Sequence, residues 1–114
     1  MVRTAIYSKA KGISLASGTG ADVSKYDTCT VIVNVSTLGT TPAVTFLEGN
    51  SSGQTTNAKM ILPDGTIGNV FSPTATGVYV IPYIGDGAYL KQTTTGTSTV
   101  IAVVALLEKP ALSN

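Results

Sequence analysis

The acidic side chains are the residues of this chain with the most obvious capacity for chemistry. Its 114 residues include six carboxylates and no histidine. Without an imidazole, the chain lacks the base of the serine and cysteine hydrolases and the usual ligand of protein-bound zinc. Two carboxylates can together hydrolyse a glycosidic bond, but these are far apart in sequence, so only folding could pair them. The six are Asp22, Asp27, Glu48, Asp64, Asp86 and Glu108.

The sequence around these carboxylates favours structural roles. Asp64 and Asp86 each precede a glycine in a turn signal, where aspartate is common because its side chain bonds to the nearby backbone. Asp22 and Asp27 could give oxygen ligands to a calcium ion in a loop, but the alternating spacing of a calcium loop is missing. We therefore predict no catalytic residues, no metal ligands and no enzyme activity.

Two further motifs resemble reactive sites and receive a plainer interpretation. Cys29 alternates with Val31 and Val33, which indicates a small buried side chain, because a reactive thiol needs a base or a positive charge beside it. Gly18 and Gly20 form a G-x-G, but they precede a predicted strand, whereas a dinucleotide site requires a helix there. We predict no cofactor.

The composition favours contact with other proteins over contact with nucleic acid. Only 11% of the residues are charged, against roughly 25% in an average protein, and the net charge is +1. The basic residues are scattered singly, so the sequence has no basic stripe of the kind that binds phosphates. The mean hydropathy of +0.31 is high for a chain that stays monomeric in water. We expect a homo-oligomer that does not bind nucleic acid.

No segment of the sequence has the length of a membrane span. The longest apolar run, VIAVVALL at residues 100–107, is far shorter than the roughly 20 residues that cross a bilayer. The first residues, MVRTAIYSKAKG, lack the apolar stretch of a signal peptide. We expect a soluble protein that is made in the cytoplasm and has no membrane partner.

Alternating apolar residues, interrupted by Gly, Pro, Asn and Asp, indicate a chain of short strands. We count seven or eight, with turn signals about every 8–12 residues, as in antiparallel sandwiches and barrels. This predicts one all-β domain over residues 1–114, an antiparallel β-sandwich of jelly-roll or immunoglobulin-like character, with a C-terminal tail at 108–114. The predicted core consists of Val31, Val33, Val44, Phe46, Val80, Leu90, Val100, Ala102 and Val104.

The last predicted strand, at about residues 99–107, is apolar on both faces. A strand with one face in water alternates apolar and polar residues, so this strand should lie in the middle of a sheet or be covered by another chain. Two turn–strand units, LGTTPAV (38–44) and TGTSTV (95–100), are similar to each other. We interpret them as two hairpins of one type.

The first eleven residues form a candidate N-terminal arm that contacts a partner. They include three basic residues and no acidic one, and their apolar side chains are too few to build a core. Such an arm can add a strand to the open edge of a neighbour's sheet through main-chain hydrogen bonds. Alternatively, TAIYS (4–8) is the first strand of the chain's own sandwich, followed by a mobile KAKG (9–12). The candidate contact residues are Val2, Arg3, Ile6, Tyr7, Lys9 and Lys11.

Five short sequence motifs, which occur in a fixed order along the chain, resemble those of a known class of proteins. DVSKY (22–26) leads into the first long strand, and GTTP (39–42) leads into the second; TGVYVI (76–81), YLK (89–91) and GTS (96–98) follow. The series resembles a class of small virion proteins of tailed bacteriophages. The matching residues are Asp22, Val23, Ser24, Tyr26, Gly39, Thr40, Pro42, Gly77, Tyr79, Val80, Ile81, Tyr89, Leu90, Lys91, Gly96, Thr97 and Ser98.

The resemblance covers about residues 20–107 and implies a structural role in the virion. Many members of the class also have an S-x-D-G-x-x-W loop, whereas NSSGQTTNAKM (50–60) has neither that Asp nor the Trp. The implied function is that of a capsid decoration or cement protein, which is made in the host cytoplasm and stabilises the major capsid lattice at the capsid surface. Its implied partners are the major capsid protein or other virion proteins. A tail or head–tail junction component is the second alternative.

A carbohydrate- or receptor-binding module is the third alternative. Such modules usually stack their ligand on exposed aromatic rings, and this chain has five tyrosines but no tryptophan. Tyr79 and Tyr83 share a face with Ile81 and could provide such a surface if that face were exposed.

Overall fold

The described chain is built from β-strands. A computed structural model describes residues 8–51 and 56–110, with side chains from 11 to 51 and from 56 to 108. Within those ranges all the regular secondary structure is β-strand, which confirms the predicted all-β fold class. The eleven strands are β1 (Ser8–Ser14), β2 (Gly20–Asp22), β3 (Thr28–Thr37), β4 (Thr40–Gly49), β5 (Thr56–Asn57), β6 (Met60–Ile61), β7 (Ile67–Gly68), β8 (Val70–Phe71), β9 (Gly77–Tyr83), β10 (Tyr89–Thr97) and β11 (Val100–Pro110).

The strands form two antiparallel sheets. The six-stranded sheet has the order β1-β11-β3-β9-β6-β7. The five-stranded sheet has the order β2-β10-β4-β5, and β8 also pairs with β4. Buried side chains from both sheets form one hydrophobic cluster, so the predicted β-sandwich is confirmed.

The core follows the two-residue period of the long strands. In β3, Val31 and Val33 are completely buried, and in β4, Val44 and Phe46 are completely buried. Leu90 of β10 is also completely buried. These five residues match the predicted core, because each strand has apolar residues on one face and mostly polar residues on the other.

The predicted inward face of β9 and β11 is wrong. Ile81 is fully buried whereas Val80 is 57% exposed, and in β11 the predicted core residues Val100, Ala102 and Val104 are all exposed. The inward residues of β11 are Val103, Ala105 and Leu107. Both strands are apolar on both faces, so alternation does not distinguish the faces. The pairing with β3 does, because Val31 lies opposite Ile81 and Ala105.

Several predicted boundaries also change. KAKG (9–12) lies within β1, which pairs with β11 over seven residues, so this segment is part of the sheet. β11 continues through Pro110, so the first three residues of the predicted tail are in a strand. The count reaches eleven because β2 and β5 have only three and two residues, too few for alternation to be seen in the sequence, and because the predicted strand at 67–71 divides into β7 and β8. Residues 1–7 and 111–114 lie outside the described residues.

The two similar turn–strand units connect the sheets and are not hairpins. β3 and β11 belong to the six-stranded sheet, whereas β4 and β10 belong to the five-stranded sheet. The two connections lie side by side, because the N–H of Gly39 donates to the hydroxyl of Thr99 at 3.1 Å. A Cβ atom on Gly39 would overlap the carbonyl oxygen of Thr97. Glycine is therefore required where the two connections touch.

Candidate interaction surfaces

Two of the exposed carboxylates organise local turns. Asp22 accepts hydrogen bonds from the backbone N–H and the hydroxyl of Ser24, at 2.9 and 2.6 Å. Asp64 accepts the same pair from Thr66, at 3.0 and 2.7 Å. The hydroxyl bond is the larger cause, and with the backbone bond it holds the pKa of each carboxyl below its ordinary value of 3.8.

Glu48 is buried, and its carboxylate joins the two sheets. It accepts hydrogen bonds from the hydroxyl of Tyr83 at 2.7 Å, from the N–H of Gly87 at 3.0 Å and from the N–H of Lys59 at 3.1 Å. Glu48 lies in β4 and Tyr83 in β9, so the cluster links opposite layers of the sandwich. Burial, and then the bond to Glu48, raise the pKa of Tyr83. The cluster fixes the connection between β9 and β10.

The spacing of residues in β4 indicates that Glu48 is buried. Glu48 follows Val44 and Phe46 at a two-residue spacing, so it takes an inward position in β4. A carboxylate at such a position needs several donors, because an unpaired buried charge is strongly unfavourable. The period of β4 therefore predicts a buried acid, although it does not identify Tyr83 as the partner.

On the inward face of the six-stranded sheet lie the cysteine and the two tyrosines that are the candidates in the sequence for a reactive thiol and for an aromatic ligand platform. Cys29 is buried, and burial raises the pKa of its thiol to about 11, so the reactive thiolate is scarce at neutral pH. The ring of Tyr79 packs on Phe71, with centroids 4.8 Å apart, and its hydroxyl donates to the carbonyl of Ala75. Tyr79 and Tyr83 thus face the core and do not form an exposed aromatic platform. Over residues 8–51 and 56–110, no three His, Cys, Asp or Glu side chains are grouped to hold a metal ion.

Several of the residues that carry the bacteriophage resemblance form turns and contacts between strands. Asp22 forms the turn described above, and the N–H of Val23 donates to the carbonyl of Ala88 at 2.8 Å. Thr40 lies opposite Thr97, so two motifs that are distant in sequence meet at the sheet connections. These contacts show that the motifs have structural roles. They do not identify a binding surface.

The predicted contact arm is divided by the start of β1. The backbone of Lys9 and Lys11 belongs to β1, which is an edge strand of the six-stranded sheet. The last residues of the predicted arm are thus a strand of the chain's own sandwich. The other candidate contact residues lie outside the described residues, and their role stays a prediction. They are Val2, Arg3, Ile6 and Tyr7.

The six-stranded sheet has apolar side chains on the face turned away from the core. On β9, Val78 and Val80 are 65% and 57% exposed. Ile61 and Ile67 lie opposite each other on β6 and β7, and both are exposed. We call this surface the outer face. Its apolar members are Ile32, Ile61, Ile67, Val78, Val80, Pro82, Ile84, Ala102, Val104 and Leu106.

An apolar outer face is unusual for an antiparallel sheet that meets water. Such sheets normally have polar residues on the solvent side, and large exposed apolar patches mark interaction sites. β11 lies between β1 and β3, so the predicted central position of the last strand is correct. Its outward residues Ala102 and Val104 are nevertheless exposed in the described chain. Cover by another chain remains a prediction for this surface.

Comparisons with known proteins give a likeness in fold. No protein-family model matches this chain, and no curated protein matches it. Its structure is similar to the crystal structure of the SPBc2 prophage-derived protein YomS, with a TM-score of 0.51 and 12% sequence identity. The similarity covers 90% of this chain and 95% of that one. The part of the chain that the structure describes contains no helix that could span a membrane. The two chains share a fold over nearly their whole lengths.

Proposed function

We propose that this chain is a structural protein of a bacteriophage virion, and that it decorates the capsid. In this role it binds the major capsid protein and holds neighbouring subunits together. The observation that carries the proposal is the apolar outer face, which is expected of a chain that works in an assembly, on a fold similar to that of a prophage-derived protein. The order of the sequence motifs supports the same assignment.

The physical properties of the surface suit a protein whose work is assembly. Burying apolar area contributes about 25 cal/mol per Å² to association, and this gain is not reduced by the desolvation of charges. Among the described side chains, the charged ones on the outer face are Lys59 and Glu108, which lie at one end, and the uncharged polar ones include Thr30 and Asn34 of β3. A surface of this kind gains most from permanent contact with protein, as in a shell.

The edge of β1 is a second surface suited to a capsid partner. β1 pairs only with β11, so the N–H and C=O groups on its other side have no strand beside them in the described chain. A strand of a capsid subunit could pair there through main-chain hydrogen bonds. The residues before β1, which include Val2, Arg3, Ile6 and Tyr7, would then lie next to the same subunit.

The number of copies per particle tests the proposal. We expect quantitative mass spectrometry of purified particles to find hundreds of copies, in proportion to the major capsid protein. About a dozen copies or fewer would favour the tail or the head–tail junction instead. Absence of the chain from purified particles would overturn the virion assignment. Specific binding on a glycan array by a chain absent from particles would favour the carbohydrate- or receptor-binding alternative.

A further inference from the structure

We propose that the outer face is the interface of a homodimer with twofold symmetry. The twofold axis runs parallel to the strands, between β3 and β9, which are the two central strands of the six-stranded sheet. The two outer faces then pack on each other about 10 Å apart, as sheets do in a β-sandwich. This inference does not depend on the proposed function, because it concerns the purified protein alone.

The twofold axis fixes which strands meet. Because the axis lies at the centre of the six strands, β3 of one copy faces β9 of the other, β11 faces β6, and β1 faces β7. The registers within the sheet place Ile32 opposite Val80, and Leu106 level with Thr30 and Pro82. Across the interface, Ile32 of one copy therefore meets Val80 of the other near the axis.

The shapes of the opposed residues are complementary at the edges. Ile67 on β7 is 66% exposed, the largest fraction among the large apolar side chains of the described chain. The strand that faces it, β1, has Gly12 level with Leu106. Glycine leaves a hollow at the position where a protruding isoleucine from the second copy arrives. Leu106 meets Ile61 in the same row.

The charges at the end of the outer face are also complementary. Glu108 on β11 lies opposite Thr28 on β3. Lys59 precedes β6, shares the face of Ile61, and its carbonyl accepts the N–H of Ile84 at 2.9 Å. Both charges are thus in the same end row, one on each side of the axis. The symmetry brings Glu108 of each copy to Lys59 of the other, twice per dimer.

The area of the outer face is sufficient for a specific dimer. Four long strands at about 4.8 Å spacing and about seven residues at 3.3 Å each give roughly 440 Å² in projection. β6 and β7 add about 60 Å². Two copies therefore bury at least about 1,000 Å², which is the size at which specific interfaces begin.

A lysine at the centre of the face tests the interface. We expect the purified chain to have the mass of a dimer by light scattering at micromolar concentration, and Val80→Lys to have the mass of a monomer. Val80 is exposed, so the variant should keep its β-type circular dichroism spectrum. The matched control is Val70→Lys, at a 44% exposed valine of β8 in the other sheet, which should remain dimeric.

Exchange of the end charges tests the twofold arrangement itself. Lys59→Glu and Glu108→Lys should each raise the dimer dissociation constant roughly tenfold, because each creates two like-charge contacts. The double variant should return most of the lost affinity. Lys25→Glu, at an exposed lysine in the loop between β2 and β3, is the control with the same charge change and should have no effect.

Three outcomes would overturn the inference. A wild-type chain that is monomeric at high micromolar concentration means that the outer face has another occupant, such as another virion protein. A monomeric wild type that dimerises when residues 2–7 are deleted means that the chain's own N-terminal segment covers the face. A dimer that tolerates Val80→Lys, or in which the double charge variant is no better than the single ones, means that the copies meet elsewhere or in another orientation.

Discussion

The three hydrogen bonds received by Glu48 make its charge and acceptor geometry a requirement of the fold. We predict that Glu48→Gln lowers the free energy of unfolding by about 1–3 kcal/mol, because the amide turns an N–H toward a buried donor. Urea denaturation measures this change. Tyr83→Phe removes one donor, and the double variant should lose less than the sum of the single losses. An unchanged urea midpoint for Glu48→Gln would show that the cluster does not hold the sheets together.

The stability of the turns at Asp22 and Asp64 depends on pH, because the hydroxyls of Ser24 and Thr66 lower the pKa of the two carboxyl groups. A pKa that is lower in the folded chain adds stability above the ordinary pKa, and this stability is lost as the pH falls through the folded value. We predict that carboxyl titration by NMR gives both residues a pKa below 3.8, and that Ser24→Ala moves Asp22 back toward 3.8. Thr66→Ala should do so for Asp64 alone. If Ser24→Ala leaves Asp22 unchanged, the hydroxyl bond is not the cause.

At the scale of elements, the contact between the two sheet connections can be tested at Gly39. We predict that Gly39→Ala lowers the melting temperature by at least about 4 °C, because forcing a methyl group against the Thr97 backbone costs about 1–3 kcal/mol. Gly12→Ala is the matched control, since the nearest atom to its Cβ would be 4.0 Å away. Both changes are measured in the Val80→Lys background, so that self-association does not contribute. Equal melting temperatures for the two variants would contradict the close approach.

The N-terminal residues divide into a strand and a segment before it, and two deletions separate their roles. Deleting residues 2–11 removes four residues of β1 and uncovers part of β11, so we predict a fall in melting temperature of more than about 10 °C. Deleting residues 2–7 leaves β1 in place, and we predict an unchanged melting temperature with weaker binding to capsids that lack the protein. A large thermal loss from the shorter deletion would place residues 2–7 inside the fold instead.

The sequence predicts the sandwich and half of the core, and the errors have a physical cause. β3 and β4 alternate clearly, so Val31, Val33, Val44 and Phe46 are placed correctly. β9 and β11 are apolar on both faces, so period two cannot say which face is inward, and Val80 and Val104 are assigned to the wrong side. The two sheet connections are predicted as hairpins because turn residues in a sequence do not indicate which sheet the next strand joins.

The same ambiguity is what reveals the candidate interaction surface. A strand that is apolar on both faces has one face for its own core and one for something else. The sequence indicates this for the last strand alone. The cross-strand registers are needed to show that Ile32, Val80 and Val104 form one row and that β6 and β7 extend the surface with Ile61 and Ile67.

At the scale of the whole molecule, the two sheets have different outer surfaces. The five-stranded sheet has threonine and lysine on the outward positions of β10, such as Thr93 and Lys91. In the six-stranded sheet the outward residues of β6, β7, β9 and β11 are mostly apolar, and those of β3 are polar apart from Ile32. One side of the sandwich is thus suited to water and the other to protein. An assembly that buries the outer face would cover six of the eight exposed large apolar side chains of the described residues.

A cryo-electron microscopy map of the virion that contains this chain tests the structural role most directly. We predict density for the two-sheet fold at repeated positions on the outside of the capsid lattice, in contact with the major capsid protein. The outer face should be buried in that density, against a second copy of the chain. A map with the fold absent from the capsid surface, or present there with the outer face open to solvent, would contradict the assignment.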